Sequence, residues 1–153
     1  MEQPRPGDPR FQILNYVGIV DQLITTQANR ILAAERLPLV QFSMLTHFSH
    51  EPERARSVSE TAAAFQVPQP GITRLFQRLV KKGYLAVRAS DADGRVRRHV
   101  LTPKGAAAQR RAVARLMPEI ARIFADWSAA DIEALHRRLF RLKSWLDADR
   151  DPK

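Results

Sequence analysis

Three observations predict a mainly α-helical fold that carries one small β-hairpin. First, Ile72, Leu75, Phe76, Leu79 and Val80 fall at i, i+3, i+4, i+7 and i+8, one apolar face of a 3.6-residue period. Second, the period drops to about two after Gly83, and Asp93-Gly94 then offers a tight reversal. Third, stripes of apolar residues at three- and four-residue steps occupy both ends of the chain. Together they predict a winged helix-turn-helix: a lobe over residues 38–104, flanked by dimerisation helices over 11–36 and 104–149, in one domain spanning 11–149.

Taken in order, residues 1–10 hold Pro4, Pro6, Gly7 and Pro9, a composition that resists helix and strand and predicts a flexible arm. From Phe11 to Glu35, Ile13, Tyr16, Val17, Val20, Leu23, Ile24, Ala28, Ile31 and Leu32 recur at helical steps. That stripe is too extensive for one short neighbour, so this long helix is expected to meet a second copy of the chain as well as its own. Pro38 breaks it, and Leu39 to His50 forms the next helix with Phe42, Leu45 and Phe48 inward. Residues 51–56, hydrophilic and interrupted by Pro52, are expected to be a loop. A short helix to Phe65 follows, for which both Ser57, three residues before Glu60, and Ser59 have the chemistry of an N-cap. Ala62, Phe65 and Val67 are expected beneath the next helix, with residues 66–69 as the intervening turn.

The helix after that turn has sharp bounds. Pro70 suits a first helical turn, where its missing N–H costs nothing, and Gly83 suits the left-handed residue that ends a helix. Gln69, Thr73, Arg74, Gln77, Arg78, Lys81 and Lys82 lie on the side left over, a cationic, hydrogen-bonding surface sized for a DNA major groove. In the hairpin, Leu85, Val87 and Ala89 share one face of a strand, and 96–101 returns as the second. Arg95, Arg97 and Arg98 stand at or just beyond its tip, able to reach a minor groove or backbone. Thr102 is expected to cap a helix that starts at Pro103, kinks near Pro118 and runs to Trp127. A last helix from Ala130 to Asp147 aligns Ile132, Leu135, Leu139, Leu142, Trp145 and Leu146. With the first helix and Leu116, Ile120, Ile123 and Phe124, this terminal apolar set is the candidate dimer interface.

Composition narrows the partners. The 153 residues are 44% hydrophobic and 27% charged, which fits a globular domain, and the net charge is +9. Residues 69–104 hold nine basic and two acidic residues, a local +7, whereas the rest of the chain carries 16 basic and 14 acidic residues, only +2. A charge run is often only a solvated face, but concentration on one helix and one hairpin points to a polyanion. No signal peptide or bilayer-length apolar run is present, so a cytoplasmic location without membrane attachment is expected. The absence of cysteine excludes disulfides, thiolate metal sites and thiol redox sensing.

The runs Gly71-Ile72-Thr73-Arg74-Leu75, Arg78-Leu79, Lys81-Lys82-Gly83-Tyr84-Leu85, Asp93-Gly94-Arg95 and Leu101-Thr102-Pro103-Lys104-Gly105 resemble, in their order and spacing, the MarR family of bacterial transcriptional regulators. The resemblance covers about residues 11–149. It implies a homodimeric, ligand-responsive repressor on a pseudo-palindromic operator. The expected DNA contacts are Gln69, Gly71, Thr73, Arg74, Gln77, Arg78, Lys81, Arg95 and Arg97. Arg74 and Gln77 are the base-reading types, since arginine bridges guanine O6 and N7 and glutamine bridges adenine N6 and N7. The matching family arginine at Arg95 enters the minor groove. The family register also favours Ser59 as the cap of the preceding helix. Gln69-Pro70-Gly71 departs from the family, which carries phosphate-binding hydroxyls there.

The resemblance further implies a small aromatic or anionic effector between the dimerisation helices and the lobe. Tyr16, His47 and Trp127 could line such a pocket, but aromatics at helical spacing are more often core, and the pocket residues stay unassigned. His47 and His50 are spaced for a metal but lack a compelling third ligand, so no metal or cofactor is expected. No serine, histidine and acid constellation or phosphate-cradling glycine loop argues for an enzyme. The alternative reading is a winged-helix protein-interaction module without specific DNA binding.

Overall fold

The computed structural model describes residues 7–89 and 97–149. In chain order the elements are α1 (Pro9–Leu32), a 3₁₀ turn (Ala33–Glu35), α2 (Leu39–Ser49), β1 (Arg56–Ser57), α3 (Val58–Phe65), α4 (Gln69–Lys81), β2 (Leu85–Ala89), β3 (Arg97–Leu101), α5 (Pro103–Ile123) and α6 (Ala129–Ala148). The chain divides into two compact units, residues 1–116 and 117–153, with the division inside α5.

The first unit is built on the apolar face of α4. Ile72, Leu75, Phe76 and Leu79 are all buried, against Met44, Leu45 and Phe48 of α2, Ala62 of α3, Leu85 of β2, and Ala108 and Ala112 of α5. Burying each such large side chain contributes about 1.5–3 kcal/mol, enough to fix which side of α4 faces inward. Pro70 lies in the first turn of α4, and Gly83 follows its end with a φ of 72°. Both terminators act as their chemistry predicts.

The sheet has three antiparallel strands in the order β1-β3-β2. Leu85 to Ala89 pair in register with Leu101 to Arg97, and Arg56 and Ser57 pair with His99 and Arg98. β1 corrects the expectation of a plain loop over 51–56. A two-residue strand has no period to read, and it forms because the outer edge of β3 offers unpaired backbone groups. Arg56 is correspondingly buried: its guanidinium sits 5.2 Å from the centre of the Phe48 ring and donates to Glu51 Oε2 at 2.8 Å.

Two further expectations change. Ser57, not Ser59, caps α3: its hydroxyl accepts from Glu60 N at 3.2 Å while Glu60 Oε2 accepts from Ser57 N at 2.8 Å. The reciprocal box satisfies two amides at once, whereas Ser59 is already the second residue of the helix, with its hydroxyl 3.1 Å from that of Ser57. Phe65 and Val67 do not lie beneath α4; they are 36% and 41% exposed. The buried positions of α3 are Thr61 and Ala62, and Gln66, with a φ of 52°, turns the chain so that Phe65 rests edge-on against His47 at 5.1 Å. On α1 only Ala28 and Leu32 are buried, leaving Phe11, Leu14, Tyr16, Val17, Val20, Leu23 and Ile24 exposed.

The second unit holds the end of α5 and all of α6. Pro118 lies inside α5, which ends at Ile123 rather than Trp127. The intervening residues form turns, Ala125 N donating to Arg122 O and Trp127 N to Phe124 O, because Ser128 must be extended to cap α6 by accepting from Asp131 N at 3.1 Å. No residue of α6 is buried, and Ile132, Leu139, Trp145 and Leu146 are exposed. Among the described residues no helix is long and apolar enough to cross a membrane.

Candidate nucleic-acid interface

The apolar side of α4 is spent on the core, so its other side is what the lobe presents. Gln69, Gly71, Arg74, Gln77, Arg78 and Lys81 are exposed and Thr73 is half-buried. From Arg74 the steps to Gln77, Arg78 and Lys81 are three, four and seven residues, so these four stand on one continuous face. Thr73 Oγ1 donates back to Gln69 O at 3.0 Å, and Arg78 Nε to Arg74 O at 3.3 Å. The side chains of Arg74, Gln77 and Lys81 make no hydrogen bond or ion pair among the described residues. Pro68 caps α4 without a side-chain bond, and a Cβ added at Gly71 would meet nothing within 4 Å. The start of this helix is therefore open, with its positive dipole end uncovered.

The hairpin lies beside that face. Thr73, Gln77 and Lys81 of α4 and Arg97 of β3 share the rim of a pocket of about 360 Å³, with Phe76, Val80, Val87, His99 and Val58 completing its walls. Arg97 is exposed. Arg98, its neighbour, points to the opposite face and is tied to α3, with Nη1 3.1 Å from Glu60 Oε2 and 3.2 Å from Ala55 O. Arg95 and the Asp93-Gly94 turn lie outside the described residues. The structure thus groups Thr73, Gln77, Lys81 and Arg97 around one pocket, with Gln69, Gly71, Arg74 and Arg78 along the same helix.

Supporting groups carry perturbed acidities. The Glu60 carboxyl is held below its ordinary range by the Ser57 amide first, then the Ser57 hydroxyl, with Arg98 adding to them. His99 is 7% exposed, its ring lies 4.5 Å from that of Phe76, and its Nδ1 has no hydrogen-bond partner among the described residues. Burial lowers its pKa, against a hydrogen bond to the Arg56 backbone that raises it. His47 is lowered in the same way, by burial first and by the Arg56 charge next. Among the described residues no group of three or more His, Asp or Glu side chains is placed to hold a metal ion. His99 stood alone in the sequence, and only the pairing of β3 with β1 seats it under the helix.

A family model described as the MarR family matches residues 37–96, which take in α2, β1, α3, α4 and β2. Over those residues the chain matches the MarR family. Solved structures share the MarR-like fold over nearly the whole length. One is the transcriptional regulator BldR from Sulfolobus solfataricus, 24% identical, covering 90% of this chain and 99% of its own, with a TM-score of 0.74. A mutant MarR from E. coli complexed with operator DNA is 18% identical and covers 91% and 99%, with a TM-score of 0.76. The transcriptional repressor CouR, bound to a 23-mer DNA duplex, is 22% identical and covers 92% and 99%, with a TM-score of 0.75. No curated protein sequence matches this chain.

Proposed function

We propose that this protein is a sequence-specific DNA-binding transcriptional regulator, a ligand-responsive repressor that acts as a homodimer on a pseudo-palindromic operator. One observation carries the reading: α4 buries Ile72, Leu75, Phe76 and Leu79 and holds out Arg74, Gln77 and Lys81 with no partner among the described residues. Charged and amide side chains left unpaired beside a basic hairpin suit phosphates and base edges. Gln69, Gly71, Thr73 and Arg78 would add backbone contacts, and Arg95 and Arg97 would flank them from the wing. The similar structures of a MarR mutant with operator DNA and of CouR with a 23-mer DNA duplex support the same partner.

The dimer follows from α1, whose exposed Leu14, Val17, Val20 and Leu23 form an apolar stripe that a second copy would cover. Two α4 helices would then enter successive major grooves about 34 Å apart. A small aromatic or anionic effector that binds the DNA-incompetent arrangement more tightly would lower operator occupancy.

The test is binding of the purified protein to DNA flanking its own gene, beside a scrambled duplex and across a salt series. Tight, salt-sensitive binding to the native DNA alone is expected. No binding at low salt, or an affinity indifferent to salt, would refute DNA recognition and favour a protein-interaction module. Val17→Glu with Val20→Glu should convert the dimer to monomers by light scattering, and an unchanged mass would refute the α1 interface.

A further inference from the structure

The segment between α1 and α2 is an elbow held from two sides. Leu32 and Leu37 are buried at its ends, and between them the 3₁₀ turn finishes at Arg36, whose φ of 50° is left-handed. A residue with a side chain stays in that region only where its surroundings hold it. From α5, Arg111 donates to Glu35 at 3.1 Å and Arg115 binds the same carboxylate. From the cap that ends α4, Lys82 Nζ donates to Arg36 O and to Gln41 Oε1, each at 2.6 Å, and Gln41 is itself buried at the start of α2. Among the described residues Lys82 has no carboxylate partner, so its ammonium serves two neutral oxygens. Lys81, one residue earlier and about 100° away around the helix, is exposed instead.

We infer that Lys82 is a positioning residue: it latches the end of the recognition helix to the elbow through which α1 leaves the lobe, and so sets the spacing of the two recognition helices. This rests on the homodimeric DNA-binding reading above. The apolar contacts beneath α4 are non-directional and tolerate small rotations of the helix, whereas two short hydrogen bonds to fixed oxygens do not. Because α1 carries the stripe proposed to join the protomers, the angle between α4 and the elbow becomes the distance between half-site readers. Lys82 touches no DNA in this scheme.

The experiment uses the full chain and the palindromic duplex that the wild-type protein selects from a random pool, alone and with one base pair inserted between its half-sites. Wild type should lose at least about tenfold in affinity on insertion, since half-site spacing mirrors the dimer. Lys82→Met should lose less than about threefold on insertion while keeping the wild-type salt slope, and Lys82→Arg should restore the spacing penalty. Lys81→Met should do the reverse, keeping the spacing penalty but reducing the salt slope by about 0.9. Gln41→Met, which removes one acceptor and keeps the ammonium, should move in the same direction as Lys82→Met and decides the matter if that variant does not fold. A folded Lys82→Met or Gln41→Met protein with the full spacing penalty overturns the latch, as does a salt slope in Lys82→Met that falls as in Lys81→Met. A wild-type protein indifferent to the insertion overturns the dimeric reading, and the latch with it.

Discussion

Gly105→Ala should drive a wedge between α5 and the strand that leaves the recognition helix. Gly105 stands in the first turn of α5, its amide donating to Thr102 Oγ1 at 3.0 Å. A Cβ at this position would lie 2.2 Å from Tyr84 O, 2.9 Å from Leu101 Cδ1 and 3.0 Å from Tyr84 C. Carbon and oxygen rest more than 3 Å apart, so backbone must retreat by about 1 Å, and no flexible side-chain end can absorb that. The retreat acts on Tyr84 O, which also accepts from Thr102 N at 3.1 Å, and on Thr102 Oγ1, which donates to Gly83 O at 2.7 Å. Overpacking of this kind costs about 1–3 kcal/mol and a strained hydrogen bond about 1 more, against a helix-propensity gain of up to about 1 kcal/mol. A net loss of about 2 kcal/mol lowers Tm by roughly 4–8 °C in a chain of this size. Thermal unfolding followed by circular dichroism, at one fixed protein concentration, measures it. A Tm equal to or above wild type would refute the wedge.

The matched control is Gly71→Ala, where open space surrounds the new Cβ: Tm should hold or rise while DNA affinity falls, and unchanged affinity would remove Gly71 from the interface. Ser57→Ala should cost about 1 kcal/mol in urea unfolding and Ser59→Ala less than about 0.5; the opposite order would return the cap of α3 to Ser59. Burial keeps His99 below its ordinary 6.5, so the unfolded chain takes up a proton that the fold refuses. Its stabilisation is full above 6.5 and is lost as pH falls toward the folded value; His47 shifts the same way. His99→Phe should therefore show a shallower decline in stability from about pH 7.5 to 5.5 than wild type, and parallel declines would count against it. Glu60, lowered from 4.5, acts only in the more acidic window, where its contribution is lost as pH falls. Arg74→Met and Arg97→Met should each reduce the salt slope of DNA binding by about 0.9 if they neutralise phosphates; an unaltered slope with relaxed base preference would make Arg74 a base reader instead.

The recognition helix was legible because its signals are local and agree with one another. The period of Ile72, Leu75, Phe76 and Leu79 sets the buried face, Pro70 and Gly83 set the ends, and everything left over is the candidate site. Alternation marks Leu85, Val87 and Ala89 as a strand in the same way, while the register of Leu85 with Leu101 is set only in the folded sheet. Phe65 misled for the complementary reason: its apolar character predicts burial, but a left-handed residue at Gln66 redirects the chain just where α3 ends. Ser57 and Ser59 share one chemistry, and only the backbone angles at the helix start decide which hydroxyl meets an orphan amide.

Other features depend on residues far apart in the chain. Arg56 reads as a solvated charge and is buried, because β1 completes the sheet against β3 and brings its guanidinium over Phe48. Lys81 and Lys82 read as one basic pair and face apart, one outward and one onto Arg36 and Gln41. Arg97 and Arg98 separate likewise, one at the rim of the pocket and the other on Glu60. The sequence by itself determined the order of the helices and the hairpin, the apolar face of each long helix and the concentration of positive charge on α4 and the hairpin, since these are periodicities and sums along the chain. Only the tertiary structure decided which of those charges stay outside and which are spent within the fold, because that choice depends on acceptors such as Arg36 O, Gln41 Oε1 and Glu60 Oε2, 38 to 46 residues away in sequence.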